Sequence, residues 1–176
     1  MTAGTGQAMT AMEKAQRKLP RSDASVYRDD FVRWCFEQAE ILQRREFTDA
    51  DLPNLIEELE SMGREQRHAL RSRYRLVMMH LLKLQFQPGR RTRPWMSTIT
   101  RERVNIADRE GDSKTLRDQA PAIVAEAYRG AVLRASAESG LPPKTFPVDC
   151  PYTLDQLRDP DWMPDDQRSE PTENKR

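Results

Sequence analysis

The chain has 176 residues, of which 37% are apolar and 32% charged, and its formal net charge is +1. That length suits one ordinary domain, while the apolar share is low for a globular chain. No run of 18 apolar residues is present, which excludes a helix crossing a bilayer.

Few Val and Ile residues, no alternating runs and no Asn-Gly pair argue against a β-fold. Long Arg and Glu side chains instead cover the outer faces of helices. The composition therefore predicts an all-α, single-domain helical bundle with a thin, elongated core.

Residues 1–22 are polar and predict a flexible segment. Ser25 is placed to cap a helix running to about Arg45. Its apolar positions Val26, Tyr27, Phe31, Trp34, Cys35, Ile41 and Leu42 recur at three-and-four spacing, with Gln38 the polar exception. Asp51 suits the start of the main element. Glu57 and Glu58 suit its positive end, and Pro53 fits a first turn, where a missing N–H does no harm. One stripe then predicts a long central helix, Leu52–Gln87: Leu52, Leu55, Ile56, Leu59, Met62, Gln66, Leu70, Tyr74, Val77, Leu81 and Leu84. Gly63 is its weak point and marks a kink position; Pro88-Gly89 ends it. Pro94 opens the next helix, with Trp95, Ile99, Glu102 and Ile106 on one face and an end near Gly111. Ser113 caps a short turn around Leu116. A further helix, with Ile123, Ala127, Tyr128, Ala131 and Ala135 inward, runs from about Ala120 to Ser139 and stops at Gly140.

Six of the twelve prolines follow between Leu141 and Pro164. They predict a C-terminal Pro-rich extended strap, with a turn near Leu154–Arg158 and anchors at Phe146, Tyr152, Trp162 and Met163. Residues 165–176 predict a disordered tail. The domain is thus expected at residues 23–164.

Cys35 and Cys150 lie far apart with no CxxC spacing, which reads as two free thiols in a reducing compartment. The N-terminus lacks a basic-then-apolar signal pattern, so a cytoplasmic location is expected. Charge is uneven: between Arg64 and Arg109 stand twelve Arg or Lys and three acids, a net of +9 against −8 elsewhere. Such asymmetry informs on partners rather than fold.

The ordered motifs YRDDFVRWCFEQAEIL, FTDADLPNLIEELESMG, HLLKLQFQP, PWMSTITRERVNI, AYRGAVLRASAESGLP and FPVDCPYTLDQL resemble a bacterial family known as domain of unknown function twenty-nine. The resemblance covers about residues 26–164. It implies an all-α fold and no assigned activity. The chain departs from the family pattern at Leu84, Pro94 and Glu102, where tryptophan, serine and glutamine are common.

Three constellations carry chemistry. First, His80 lies on the apolar stripe beside Val77 and Leu84, with Lys83 at its edge. Glu102 and Arg103 stand on the next helix, which the short Gln87–Arg93 loop makes an antiparallel neighbour. The four form either a satisfied buried network or an acid/base pair, His80 oriented by Glu102. Second, Glu57, Glu60 and His80 are candidate metal ligands. About 33 Å of helix separates Glu58 from His80 at 1.5 Å per residue, so one ion cannot join them, and no metal or cofactor is expected. Third, Arg64, Arg67, Arg71 and Arg75 form a stripe continued by Arg90, Arg91 and Arg93, with Trp95 able to stack on a base. Carboxylates elsewhere in the chain can equally neutralise it.

No GxSxG nucleophile motif and no Gly-rich phosphate loop is present. The expected function is a non-enzymatic interaction module, binding a protein or nucleic acid through the Arg64–Arg93 surface. The alternative is an enzyme, such as a metal-dependent hydrolase, centred on His80, Lys83 and Glu102. No membrane association is expected. Exposed Met78 and Met79 would suit a homodimer.

Overall fold

A computed structural model describes residues 24–164. The expectations for residues 1–22 and 165–176 lie outside the described residues. Those described form an all-α, bundle-like fold without strands: α1 Ala24–Asp29, α2 Phe31–Gln43, α3 Leu52–Phe86, α4 Arg93–Asp112, α5 Lys114–Ser139 and α6 Leu154–Arg158. Short 3-10 turns occupy Pro88–Arg90 and Pro143–Thr145. The chain divides into two compact units, with the boundary inside α3 between Ser61 and Met62.

In the first unit, the single helix expected from Ser25 to Arg45 is two. Ser25 lies within α1, and the break falls at Asp30, whose carboxylate accepts from the Arg33 N–H at 3.0 Å and caps α2. A side-chain acceptor at that point satisfies an orphan N–H and makes the interruption cheap. Chain reversal follows at Arg45, the one non-glycine described residue with positive φ, 62°. The start of α3 then runs antiparallel to α2. The Trp34 indole N–H donates to Asp51, the Asp51 N–H donates to Gln38 Oε1 at 2.8 Å, and the Tyr27 hydroxyl donates to Glu58. Trp34, Gln38 and Ile41 are buried. Gln38 is thus no anomaly on its stripe, because it holds the backbone that enters α3.

The second unit holds the large core. Leu70, Tyr74, Val77, Leu81 and Leu84 of α3 are buried with Ile99 and Ile106 of α4 and Ile123, Ala127, Tyr128, Ala131 and Ala135 of α5. The long stripe on α3 is therefore core only from Leu70 onward; Leu52, Ile56, Leu59 and Met62 are exposed. Met78 and Met79, expected outside, are buried, because α3 is covered on more than one face near its end. Gly63 remains helical.

α5 joins what were read as a turn and a helix. Ser113 caps it by accepting from the Leu116 N–H, and Pro121 sits in its interior on the exposed side. Proline there removes one helical donor, and the carbonyl it would have served can turn to water. Gly140 ends the helix at φ 76°, donating to Ser136 O.

Beyond Gly140, Phe146, Tyr152 and Leu157 are buried in the same core. Phe86 meets Phe146 edge-on at 5.2 Å, the Tyr152 hydroxyl donates to Gln85, and the Tyr128 hydroxyl donates to Pro147 O. A capping box at Thr153 and Gln156 starts α6.

Candidate functional site

The last two turns of α3 carry His80 and Lys83. Both point inward, with His80 9% exposed and Lys83 less so. Lys83 Nζ donates to Glu138 of α5 at 2.6 Å and lies 4.0 Å above the Trp95 ring. A pair with carboxylate on one side and an aromatic face on the other accounts for burying an ammonium. The same arrangement occupies one face of the Trp95 ring. His80 stands 6.4 Å from Trp95, and its Nδ1 is buried without a hydrogen-bonding protein group. Burial, and then the Lys83 charge, hold the imidazole below the usual histidine range, so it is neutral.

Glu102 does not pair with Lys83 or His80. Its two oxygens accept from Arg73 at 2.8 Å and Arg101 at 3.0 Å. Burial works to raise this carboxyl, but the two guanidinium bonds outweigh it and hold Glu102 below the ordinary carboxylate value. Arg103 turns the other way. It is 1% exposed and donates to four backbone oxygens, of Gln156, Leu157, Pro160 and Trp162. Two of these are terminal carbonyls of α6, which have no intrahelical partner, so Arg103 caps that helix and fastens the segment after it. Four candidates predicted to meet thus serve three separate tasks.

A second buried group went unnoticed in the sequence. Glu110 accepts from the Tyr74 hydroxyl at 2.7 Å and from Arg158 Nη2 at 3.1 Å. Arg158 Nε also lies 2.9 Å from the carboxylate, a charge contact rather than an aligned hydrogen bond. Burial, then the Glu110 bond, raise the Tyr74 hydroxyl well above its ordinary value. The signal was available: Ile99, Glu102, Ile106 and Glu110 continue one stripe at helical spacing. Arg158 lies 48 residues further on, and only the fold brings it near.

The arginine stripe separates into four environments. Arg67 makes a two-pronged bond to Glu126 at 2.6 and 2.9 Å, and Arg71 stands 3.9 Å from the same carboxylate. Arg75 lies flat over Gly130, where a Cβ would come 3.0 Å from its Cδ. Burial lowers its guanidinium, with Arg134 and Arg71 adding like charge. Arg90, Arg91 and Arg93 remain exposed at the tip beyond α3. Arg64, together with Arg67, lines a cleft.

That cleft has a volume of about 880 Å³ and opens on the second unit. Arg64, Arg67 and Arg73 of α3 face Asn105, Asp108, Arg109 and Asp112 of α4 and Thr115, Leu116 and Gln119 of α5 across it. Arg109 donates to Gln66 at 2.6 Å, a neutral partner. None of His80, Lys83, Glu102 or Arg103 lines it. Arg73 links the two places, since it lines the cleft and bonds Glu102. A mixed-charge cleft of this size suits a side-chain-sized or peptide-sized ligand.

Among the described residues, no group of three or more His, Cys, Asp or Glu is arranged to hold a metal. Glu57 and Glu60 belong to the first unit and His80 to the second. Cys35 is exposed and Cys150 half-buried, both as free thiols. No described helix is long and apolar enough to cross a membrane.

Neither a curated protein nor a solved structure matches the chain. A family match does extend over residues 26–163, from Tyr27 and Trp34 through the His80 and Glu110 groups to Trp162. The chain belongs to that family, described as Domain of unknown function DUF29.

Proposed function

We propose that residues 23–164 act as a non-catalytic interaction module, and that the cleft receives a protein segment bearing an acidic side chain. The carrying observation is the cleft of about 880 Å³ with Arg64, Arg67, Arg73 and Arg109 in its wall. Charge selects between the two partner classes. Arg67 and Arg73 are already half-neutralised by Glu126 and Glu102, and Asp108 and Asp112 share the wall. Those carboxylates repel a phosphate backbone, which needs several unopposed cations. They accept hydrogen bonds from peptide N–H groups, while a guanidinium takes the carboxylate of the segment.

The test is fluorescence anisotropy with an acidic peptide, a neutral peptide and a single-stranded RNA, at low and high salt. Binding of the acidic peptide, weakened at least about tenfold by Arg109→Glu, is expected; each tenfold is about 1.4 kcal/mol. Silence toward the acidic peptide overturns the reading. Preference for RNA, with affinity falling steeply as salt rises, also overturns it in favour of a nucleic-acid partner.

One observation favours the enzymatic alternative: the neutral, unpaired Nδ1 of His80. A general base needs such a nitrogen. Against it stand the engagements of Lys83 with Glu138 and of Glu102 with two arginines. Modification of His80 by diethyl pyrocarbonate at the rate of a free imidazole would revive this alternative; protection would end it.

A further inference from the structure

We infer that a depression in the second unit, lined by Arg103, Ala107 and Glu110 of α4, Arg117 of α5 and Arg158 of α6, binds a single phosphate dianion, free or carried by a small molecule. The depression has a volume of about 340 Å³. It lies on the reverse side of α4 and α5 from the cleft. Arg103, Ala107 and Glu110 recur at four-and-three spacing on one face of α4, whereas the cleft takes Asn105, Asp108 and Asp112 from the opposite face. Arg117 stands on the side of α5 opposite Thr115 and Gln119, which line the cleft.

Charge, free donors and room together name the ligand. Three guanidiniums and one carboxylate leave the lining with a surplus of two positive charges. Glu110 is already engaged by Arg158 and the Tyr74 hydroxyl, and offsets one cation. Arg103 is 1% exposed and bonded to backbone carbonyls. Asp159 and Asp161 are near enough to favour its charge, but neither bonds it. Its hydrogen bonds are satisfied while its charge meets no bonded anion, and a buried cation gains from one. Arg117 makes no hydrogen bond or ion pair with any described residue, and its neighbour Asp118 is taken by Lys114 at 2.6 Å. Among the described residues, Arg158 Nη1 makes none either. Arg117 and Arg158 thus supply free donors, and Arg103 supplies charge. A guanidinium presents paired N–H groups to phosphate oxygens, and a dianion matches the surplus. Arg103 is held by four carbonyls and Arg158 by Glu110, so two of the three cations need no ordering on binding. Small-molecule sites span about 300–1,000 Å³. A volume of about 340 Å³ stands at the foot of that range and admits one phosphate with a small organic remainder, not a run of nucleotides.

Isothermal titration calorimetry of the full chain tests this, with inorganic phosphate, glycerol phosphate and acetate as probes at matched ionic strength. A phosphate probe is expected to bind near neutral pH, and acetate to bind at least about tenfold more weakly. Tighter binding of glycerol phosphate names a small phosphate monoester as the ligand; equal or tighter binding of inorganic phosphate names the free ion. Arg117→Glu is expected to weaken phosphate binding at least about tenfold. Arg117 is exposed, so the substitution leaves the fold intact, which circular dichroism verifies. Binding should also weaken as pH falls through about 6, where a phosphate group takes up its second proton. Thermal unfolding gives an independent measurement: at a hundredfold excess over Kd the midpoint should rise by about 5–10 °C in the wild-type chain and not in Arg117→Glu. Failure of both phosphates to bind overturns the inference. So does phosphate binding that Arg117→Glu leaves unchanged, or acetate bound as tightly as phosphate. Arg117 lies outside the cleft, whose reading rests on Arg109→Glu, so the two proposals fail separately.

Discussion

Up to Ser61, Trp34 and Ile41 are buried while Phe31, Val32, Phe36, Phe47 and Leu59 face outward; from Met62 on, apolar residues of α3, α4 and α5 close over one another and even charged groups are drawn inside. The buried ions of the second unit show how this is tolerated. Lys83 meets Glu138, Glu102 meets Arg73 and Arg101, Glu110 meets Arg158 and Tyr74, and Arg103 meets four carbonyls. A large core can hold charge if every ion has a partner. The first unit is too small to enclose a core of its own, so these apolar side chains stay outside. The lesson is one of scale: the same helical periodicity gives a core in one unit and a surface in the other.

The widest gap between the units is expected at Arg103. Arg103→Ala strands four carbonyls and frees the end of α6, and should cost about 4 kcal/mol in urea unfolding, with faster proteolysis after Tyr152. A loss no greater than that of a surface substitution would break the contrast. Glu110→Ala comes next. It leaves the Arg158 charge and the Tyr74 hydroxyl without their acceptor, at about 3 kcal/mol, and chemical denaturation again reads it.

Acidity sharpens the comparison further. His80 is held neutral in the fold, with its pKa below the unfolded value, so the unfolded chain takes up the proton first. Stability from this site is complete above the ordinary histidine range and declines as pH falls from there toward the folded value. Glu102, also depressed, adds a second loss below the ordinary carboxylate range. Urea midpoints measured across pH should show both limbs, His80→Gln flattening the upper one and Glu102→Gln the lower. A profile unchanged by His80→Gln would mean that His80 is hydrated. The smallest effect is expected in the first unit. Phe36→Ser should change the stability by less than about 0.5 kcal/mol, where a buried phenylalanine would cost several times more.

Much of the architecture was legible. The α3, α4 and α5 stripes, the Pro88-Gly89 stop and the Gly140 stop follow from periodicity and from the conformations proline and glycine allow. The break at Asp30 was missed because an aspartate between apolar turns looks the same whether it faces water or caps a new helix. The turn expected around Leu116 and the helix expected from about Ala120 are one helix, in which Pro121 is tolerated on an exposed side. His80 and Glu102, read on apolar faces, are buried; Lys83, read at the edge of its stripe, and Arg103 are buried as well, and none of the four bonds to another of them. His80, Lys83, Glu102 and Arg103 share a region of the wheel, yet Lys83 found Glu138 and Arg103 found the carbonyls beyond α6.

By itself, the sequence determined which segments are helices and which faces of them are apolar, because both depend on neighbours within four residues. Only the tertiary structure decided which apolar faces are covered. Leu59 and Leu70 read alike on one stripe, and one is exposed while the other is buried. It also decided which arginine meets which carboxylate, since pairs such as Arg67 with Glu126, 59 residues apart, are set by how helices cross. Burial and ion pairing are properties of the whole packing, and periodicity along a single helix carries no record of them.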